Sequence, residues 1–260
     1  MNHKQKIVAA IHAHPDDTVA FCGGTLKLLR DLGYSVFIAT LTGGGLGSLT
    51  LSQCRAIMAR KEEALEAASL LDADYYCFNQ DDGFLFDNEK IRMEMTEYIR
   101  AINPSIVFTH LPYVYHSDHR MTSTIVQTAT MLSTYPNLRT KEPPLETAPL
   151  LYHTAPRIMK NAIGAPLPDP HFYVNISSVI NKKMELISKH ISQIEVQRQM
   201  HNTENYFTDL KEYNAQQGKN CGVAYAESFW QNRSEGFRPN PLLQEELKDF
   251  IITPQQQEQQ

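Results

Sequence analysis

Apolar positions along the chain fall into short continuous runs that alternate with stripes of helical spacing. Residues 7–13 (Ile-Val-Ala-Ala-Ile-His-Ala) are such a run and end on the polar cluster His14-Pro15-Asp16-Asp17. That is the pattern of a buried strand followed by a loop. Residues 19–32 place apolar side chains at helical spacing, and Gly33 supplies a stop. A second β-rich run, 35–41, leads into the flexible loop Gly43-Gly44-Gly45-Leu46-Gly47-Ser48. Residues 52–71 are rich in Ala, Leu, Met, Glu, Lys and Arg with no Gly or Pro, and predict the clearest helix. A strand over 75–79, a turn at Asp81-Asp82-Gly83 and a helix near 88–102 follow, and Asn103-Pro104 ends that helix. A β-branched run at 105–110, a polar loop with His116, Asp118 and His119, and a helix near 120–132 complete the fourth round.

Four strand–helix rounds predict an α/β fold, Rossmann-like, with a mainly parallel sheet and helices on both faces. The pattern loosens from 136 to 171, where eight prolines punctuate it. Residues 150–154 and 172–176 are candidate strands, and 177–216 read as mostly helical with a solvated face. No repeat and no linker marks a second unit. The expectation is a single domain over 1–252, with its C-terminal extension packed on the same domain, and a low-complexity tail at 253–260.

Composition narrows the class. The chain has 260 residues, 42% hydrophobic and 20% charged, as globular chains do. Its net charge of −5 and scattered lysines and arginines give no reason to expect nucleic acid. No apolar stretch approaches the roughly 18–20 residues of a membrane span, and no h-region with a cleavage site opens the chain. Cys22, Cys54, Cys77 and Cys221 show no CxxC pairing and read as free thiols of a reducing compartment. A cytoplasmic, soluble protein is expected.

The candidate chemistry sits where an open α/β sheet binds ligands, beyond the carboxyl ends of strands. The first strand delivers His14, Asp16 and Asp17; the fourth delivers His110, His116, Asp118 and His119. His14 and Asp17, three apart across a tight turn, can face one crevice. The segment His116-Ser117-Asp118-His119 offers two histidines for a third metal ligand. A free carboxylate and a free histidine would remain, which suits metal-assisted hydrolysis. The bland reading is a hydrogen-bonded polar loop without metal. Gly43–Gly47 lacks both the Lys of a P-loop and a dinucleotide spacing, so a nucleotide-binding module is disfavoured. His12, His110, His153, His171, His190 and His201 read as structural or surface histidines. His190 stands apart because it lies in His190-Ile191-Ser192-Gln193.

Ala13-His14-Pro15-Asp16-Asp17 with Cys22-Gly23-Gly24-Thr25 resembles the AHPDD signature of the LmbE/PIG-L family of zinc-dependent N-acetylglucosaminyl deacetylases. His116-Ser117-Asp118-His119-Arg120 resembles its second signature, HPDHR. Leu41-Thr42-Gly43, Arg60-Lys61-Glu62-Glu63, Lys183 with 190–193, and 222–229 fit as well, so the likeness spans about 7–230. The resemblance implies His14, Asp17 and His119 as zinc ligands and Asp16 as the base that activates water. It implies His116 as stabiliser of the oxyanion and acid toward the amine, Asp118 as the residue that orients a histidine, and Arg60 as a substrate contact. Zn²⁺ is the implied cofactor, although two histidines and one aspartate also accept iron or another divalent ion. The implied partner is a small amino-sugar substrate. Related proteins often form homo-oligomers.

Three departures stand out. Thr18 replaces a Glu, Ser117 replaces a Pro, and Gly44-Gly45 replace an acidic residue after the second strand. Thr18 keeps a hydroxyl but loses a charge, which alters support or substrate contact; Ser117 loosens the loop; Gly44-Gly45 put carboxylate contact to the sugar in doubt. Two rivals to the deacetylase follow: an amidase on a larger amino-sugar conjugate, and a metal- or sugar-binding protein without catalysis.

Overall fold

The computed structural model of the chain describes residues 6–200, 205–237 and 239–254, apart from the side chains of residues 195 and 200. His201 and the expected tail from residue 255 onward lie outside them.

The four strand–helix rounds are present. β1 (Ile7–His12), α1 (Asp17–Asp31), β2 (Ser35–Thr42), α2 (Gln53–Ser69), β3 (Ala73–Gln80), α3 (Glu89–Ile102), β4 (Ile106–His110) and α4 (Ser117–Leu132) follow one another, and β5 (Leu150–Thr154) comes next. β6 is Phe172–Asn175. The region 177–216 divides into α5 (Ile180–Ile187), α6 (Ile191–Met200) and most of α7 (Tyr206–Cys221). β7 (Ala226–Gln231), α8 (Leu242–Glu246) and β8 (Ile251–Ile252) close the order; none of these three was expected as an element from the sequence.

All eight strands join one sheet in the order β3-β2-β1-β4-β5-β7-β6-β8. β3, β2, β1, β4 and β5 pair in parallel, and β7, β6 and β8 add antiparallel. Alternation along β1 divides the interior. Val8 and Ala10 belong to a core with Leu26 and Leu29 of α1 and Leu186 of α5. Ala9 and Ile11 belong to the opposite core with Met95 of α3 and Ile125 of α4. Both faces of the parallel sheet are covered, which is why its strands read as continuous apolar runs.

Helix ends follow local chemistry. Gly33, with φ +85°, lets the chain turn out of α1. The Asn88 side chain caps α3 by accepting from Ile91 N at 3.2 Å. Chain direction along the sheet reverses between β1 and β4, which are neighbours although three rounds separate them. That switch point opens a crevice above the carboxyl ends of the two strands. The loops carrying His14 and His116 rise on either side of it.

Candidate metal centre and active-site crevice

Three donor atoms converge at the switch point. His14 Nδ1 lies 3.2 Å from Asp17 Oδ2 and 3.2 Å from His119 Nε2, and His119 Nε2 lies 3.4 Å from Asp17 Oδ2. A tetrahedral ion with bonds of about 2.0–2.2 Å spaces its ligands about 3.3–3.5 Å apart. The triangle therefore has the dimensions of one face of such a site, and the donor set, two imidazoles and a carboxylate, suits zinc.

The supports of these ligands come from several elements. Asp17 opens α1, and its Oδ2 accepts from His14 N at 2.8 Å, which folds the His14–Asp17 turn onto itself. His14 Nε2, on the far side of the ring, lies 3.2 Å from Asp82 Oδ1 and 3.4 Å from Asp118 Oδ2. A carboxylate behind a metal-binding histidine fixes its tautomer and raises its basicity. Asp118 Oδ2 also accepts from Gly83 N at 2.7 Å, and Asp82 Oδ2 accepts from Leu46 N at 3.0 Å. The ring of His119 is sandwiched between His110, centroids 3.9 Å apart and nearly parallel, and His116, 4.7 Å away. His110 Nε2 accepts from Ala13 N at 2.9 Å and so ties the end of β4 to the end of β1.

The charge states agree with a site made for a cation. Burial opposes a proton on His14, yet Asp17, Asp118 and Asp82 outweigh it and hold its pKa well above the usual histidine value. Burial pushes His119 and His110 the other way, each to about 3, so both rings are neutral donors of a lone pair. Asp17 stays ionised although burial opposes it, because His119, His110 and His14 surround it.

Asp16 does not join the triangle. Its Oδ1 accepts from Arg60 Nη2 at 2.6 Å and its Oδ2 accepts from Tyr206 OH at 3.2 Å. Burial beside Asp16 and Asp17 raises the Tyr206 pKa well above the usual phenol value, so the hydroxyl keeps its proton and donates it. Arg60 also donates Nη1 to Gly44 O at 2.9 Å and is 3% exposed. The substrate contact suggested for Arg60 thus meets a guanidinium already engaged with Asp16. Gly44, at φ +67°, and Gly47 leave the space that this guanidinium fills. The glycine-rich loop is a passage for Arg60.

His116 caps α4, with Nδ1 accepting from Asp118 N at 3.2 Å. A ring that accepts at Nδ1 presents its Nε2 as the donor. Burial and then His14 lower the His116 pKa.

The crevice has a volume of about 480 Å³. His14, Asp16, Asp17, His116 and His119 line it, with Arg60 and Asp82; Asp118 supports it from beneath with no exposed surface. Sequence reasoning missed Asp82, which appeared only as part of a turn, and Tyr206, 190 positions from the carboxylate it meets. His110, expected as structural, ties the strand ends through Ala13 N and also brings Nε2 to 3.3 Å from Asp17 Oδ2, in a group with Asp17 and His119 that could hold a metal ion. Thr18 is fully buried, and its Oγ1 meets His12 Nδ1 at 3.0 Å below the crevice, so the departure from Glu falls outside the lining. His190 differs from the expectation of a surface or satisfied histidine. It is 1% exposed, and neither ring nitrogen has a hydrogen-bond partner among the described residues. The candidate clusters include no second site away from this crevice among the described residues, and no helix is long and apolar enough to cross a membrane.

Comparisons with known proteins agree with this fold. Residues 9–130 match the family described as PIG-L, GlcNAc-PI de-N-acetylase. The chain is 28% identical to the diacetylchitobiose deacetylase of Thermococcus kodakarensis over 194 residues, 72% of this chain and 70% of that one. The N,N'-diacetylchitobiose deacetylase structure from Pyrococcus horikoshii, with its inhibitor MPG bound, superposes with a TM-score of 0.75 at 26% identity, covering 87% of this chain and 84% of that one. A 4-oxalmesaconate hydratase of Pseudomonas putida is 25% identical over 72% of this chain and 74% of its own. One scaffold therefore carries more than one reaction among the relatives, and the site must decide.

Proposed function

We propose that this chain, whose residues 9–130 belong to the PIG-L family, is a metal-dependent N-deacetylase that hydrolyses the acetamide of an N-acetylglucosamine-type sugar or its conjugate. The observation that carries the reading is the triangle of His14, Asp17 and His119 with a separately held carboxylate, Asp16, beside it. His14, Asp17 and His119 would hold one divalent ion. Zinc fits the donor set best, and iron or another divalent ion fits the same ligands. Such an ion supplies Lewis acidity toward the acyl carbonyl and makes water more acidic.

The chain's own residues divide the remaining work. Asp16 takes the proton of the attacking water at a carboxylate oxygen, and Arg60 and Tyr206 fix the direction from which it does so. His116 presents Nε2 toward the crevice and donates a hydrogen bond to the carbonyl oxygen as charge develops there, and the proton taken up by Asp16 is passed to the departing nitrogen with His116 beside it. Asp118 and Asp82 hold the His14 ring. The products are acetate and the free amino sugar. The partner is a small molecule; the net charge of −5 gives no handle for nucleic acid. Free thiols throughout fit the reducing cytoplasm. The sheet and both cores fit a single domain.

The test is acetate release from N-acetylglucosamine and N,N'-diacetylchitobiose by zinc-loaded wild type and Asp16→Asn. The reading expects release by the wild type and a loss of about 10²–10⁴-fold in the variant with zinc still bound. Full turnover by the zinc-bound variant would remove Asp16 from the mechanism.

A further inference from the structure

Arg60 grips Asp16 with only part of its guanidinium. Nη1 is taken by Gly44 O and Nη2 by Asp16 Oδ1, while Nε is buried without a hydrogen-bond partner among the described residues. Both ring nitrogens of His190, at the turn between α5 and α6, are buried and unpartnered in the same way. His190 stands close enough to Asp16, Arg60 and Asp17 for each of them to act on its charge.

The chain after His190 is fastened at both ends of the Arg60 side chain. Glu63, one turn beyond Arg60 on α2, accepts from Ser192 N and Ser192 Oγ, both at 2.7 Å. Gln193 Nε2 donates to Gly47 O at 3.4 Å. Gly47 adjoins the guanidinium: a Cβ there would lie 2.5 Å from Arg60 Nη1. Ser192 thus ties the segment near the root of Arg60, and Gln193 ties it near the tip.

We propose that His190 is a positioning residue for the general base: its neutral ring takes the Arg60 Nε–H and, held by Ser192 and Gln193, keeps Arg60 aimed at Asp16. The inference rests on the deacetylase reading and adds to it the element that directs the base.

The chemistry of the two groups is complementary. A buried N–H without an acceptor and a buried lone pair without a donor both cost free energy, and joining them removes both costs. A neutral imidazole has one accepting nitrogen. Burial keeps the ring uncharged, with a pKa of about 4. An anion in its place would compete with Asp16 for Arg60, and a cation would repel it. The geometry of the fork gives the contact its role. Bonds at Nη1 and Nη2 leave the guanidinium plane free to tilt about the line joining them, and a bond at Nε fixes the plane. Asp16 is then held in one direction, and misplacing a reacting group by about 1 Å costs on the order of 10²-fold in rate.

The test compares wild type, His190→Phe, His190→Gln and Ser192→Ala, all zinc-loaded, on N-acetylglucosamine and N,N'-diacetylchitobiose. Rates are taken per zinc-bound chain, so that a loss of folded protein does not enter. His190→Phe removes the acceptor, and His190→Gln supplies another. Ser192→Ala withdraws only the Oγ bond to Glu63, and serves if the Phe variant does not fold. In parallel, NMR follows the Arg60 Nε–H, identified by its loss in Arg60→Lys, and needs no turnover. The proposal expects a wild-type Nε–H that exchanges slowly and couples to a His190 ring nitrogen. In His190→Phe the exchange becomes fast and kcat falls by about 10–100-fold, with KM and zinc affinity little changed. His190→Gln recovers most of both losses, and Ser192→Ala shows a smaller loss in the same direction. An unaltered Nε–H and unaltered kcat in His190→Phe and Ser192→Ala, with only the melting temperature lowered, overturn the positioning role and leave the deacetylase standing. A rise in KM at constant kcat overturns it too. An Nε–H that depends on His190, with no acetate released by wild type, supports the contact and overturns the deacetylase. Neither release nor dependence overturns both.

Discussion

Two buried charge clusters lie within this fold and are built in opposite ways. In one, Glu227 of β7 accepts from Gly24 N, Thr25 N, Thr25 Oγ1 and Lys183 Nζ at 2.6–2.9 Å, and Lys183 also donates to Asn214 Oδ1 at 2.9 Å. Lys183 is fully buried and Glu227 is 1% exposed. Every charge there has its partner, and the cluster clamps α1, α5 and α7 to β7. In the other, His14, Asp17 and His119 aim three lone-pair donors at one point, and the carboxylates Asp82 and Asp118 stand behind them. Both clusters are polar and desolvated. The closed one is satisfied within the chain; the convergent one leaves three donors facing one point, the arrangement a bound cation requires. Burial of charge alone therefore does not mark a functional site, but an excess of convergent acceptors does.

The sharpest way to break this comparison is to damage each cluster and ask what zinc still does. Glu227→Gln is expected to cost about 3–5 kcal/mol, because it leaves Lys183 buried without its counter-ion. Its melting temperature should still rise on adding zinc. Asp17→Asn should remove that rise, which in the wild type amounts to about 2.7 kcal/mol at a free zinc concentration 100-fold above Kd. Thermal denaturation with and without chelator reads both. A zinc-dependent rise in Asp17→Asn, or its loss in Glu227→Gln protein that is folded, would contradict the division.

A smaller effect lies one layer out. Asp82→Asn withdraws one of the two carboxylates behind His14, and the expected loss of zinc affinity is about 10–100-fold. Competition with a chromophoric chelator measures it. An unchanged affinity would mean that Asp118 alone orients the ring.

The smallest effect concerns pH. Burial, opposed by Asp16 and Asp17 and aided by Arg60, leaves His190 with a pKa of about 4. A histidine whose folded pKa lies below its unfolded value of about 6.5 takes up its proton on unfolding. It contributes stability above pH about 6.5 that is lost as the pH falls towards about 4. Zinc-free His190→Gln should therefore lose stability less steeply than wild type across that window, by up to about one proton in slope. Equal slopes would show that the ring is solvated.

The parallel half of the fold could be read from the chain because its signals are local. Strands buried on both faces are continuous apolar runs, and the signature segments sit directly after β1 and β4. The antiparallel half could not. All six residues of β7, Ala-Glu-Ser-Phe-Trp-Gln, are buried, yet Glu227, Ser228 and Gln231 are polar because they serve internal bonds, so the pattern suggested no strand. The ligands proposed from the resemblance come together in space. What positions Asp16 could not be read from the chain, since Arg60 and Tyr206 reach it from 44 and 190 positions away. Nor did the resemblance indicate that Arg60 would face that carboxylate.

The central claim, that the convergent cluster holds one ion and hydrolyses an N-acetyl group with it, is tested most directly by titrating chelator-treated protein with zinc while following acetate release. The substrate panel is N-acetylglucosamine, its oligomers and its conjugates. The account predicts release from at least one of them that grows with bound zinc and saturates at one ion per chain. Release that persists after the metal is stripped, or silence across the panel with one ion bound, would contradict it.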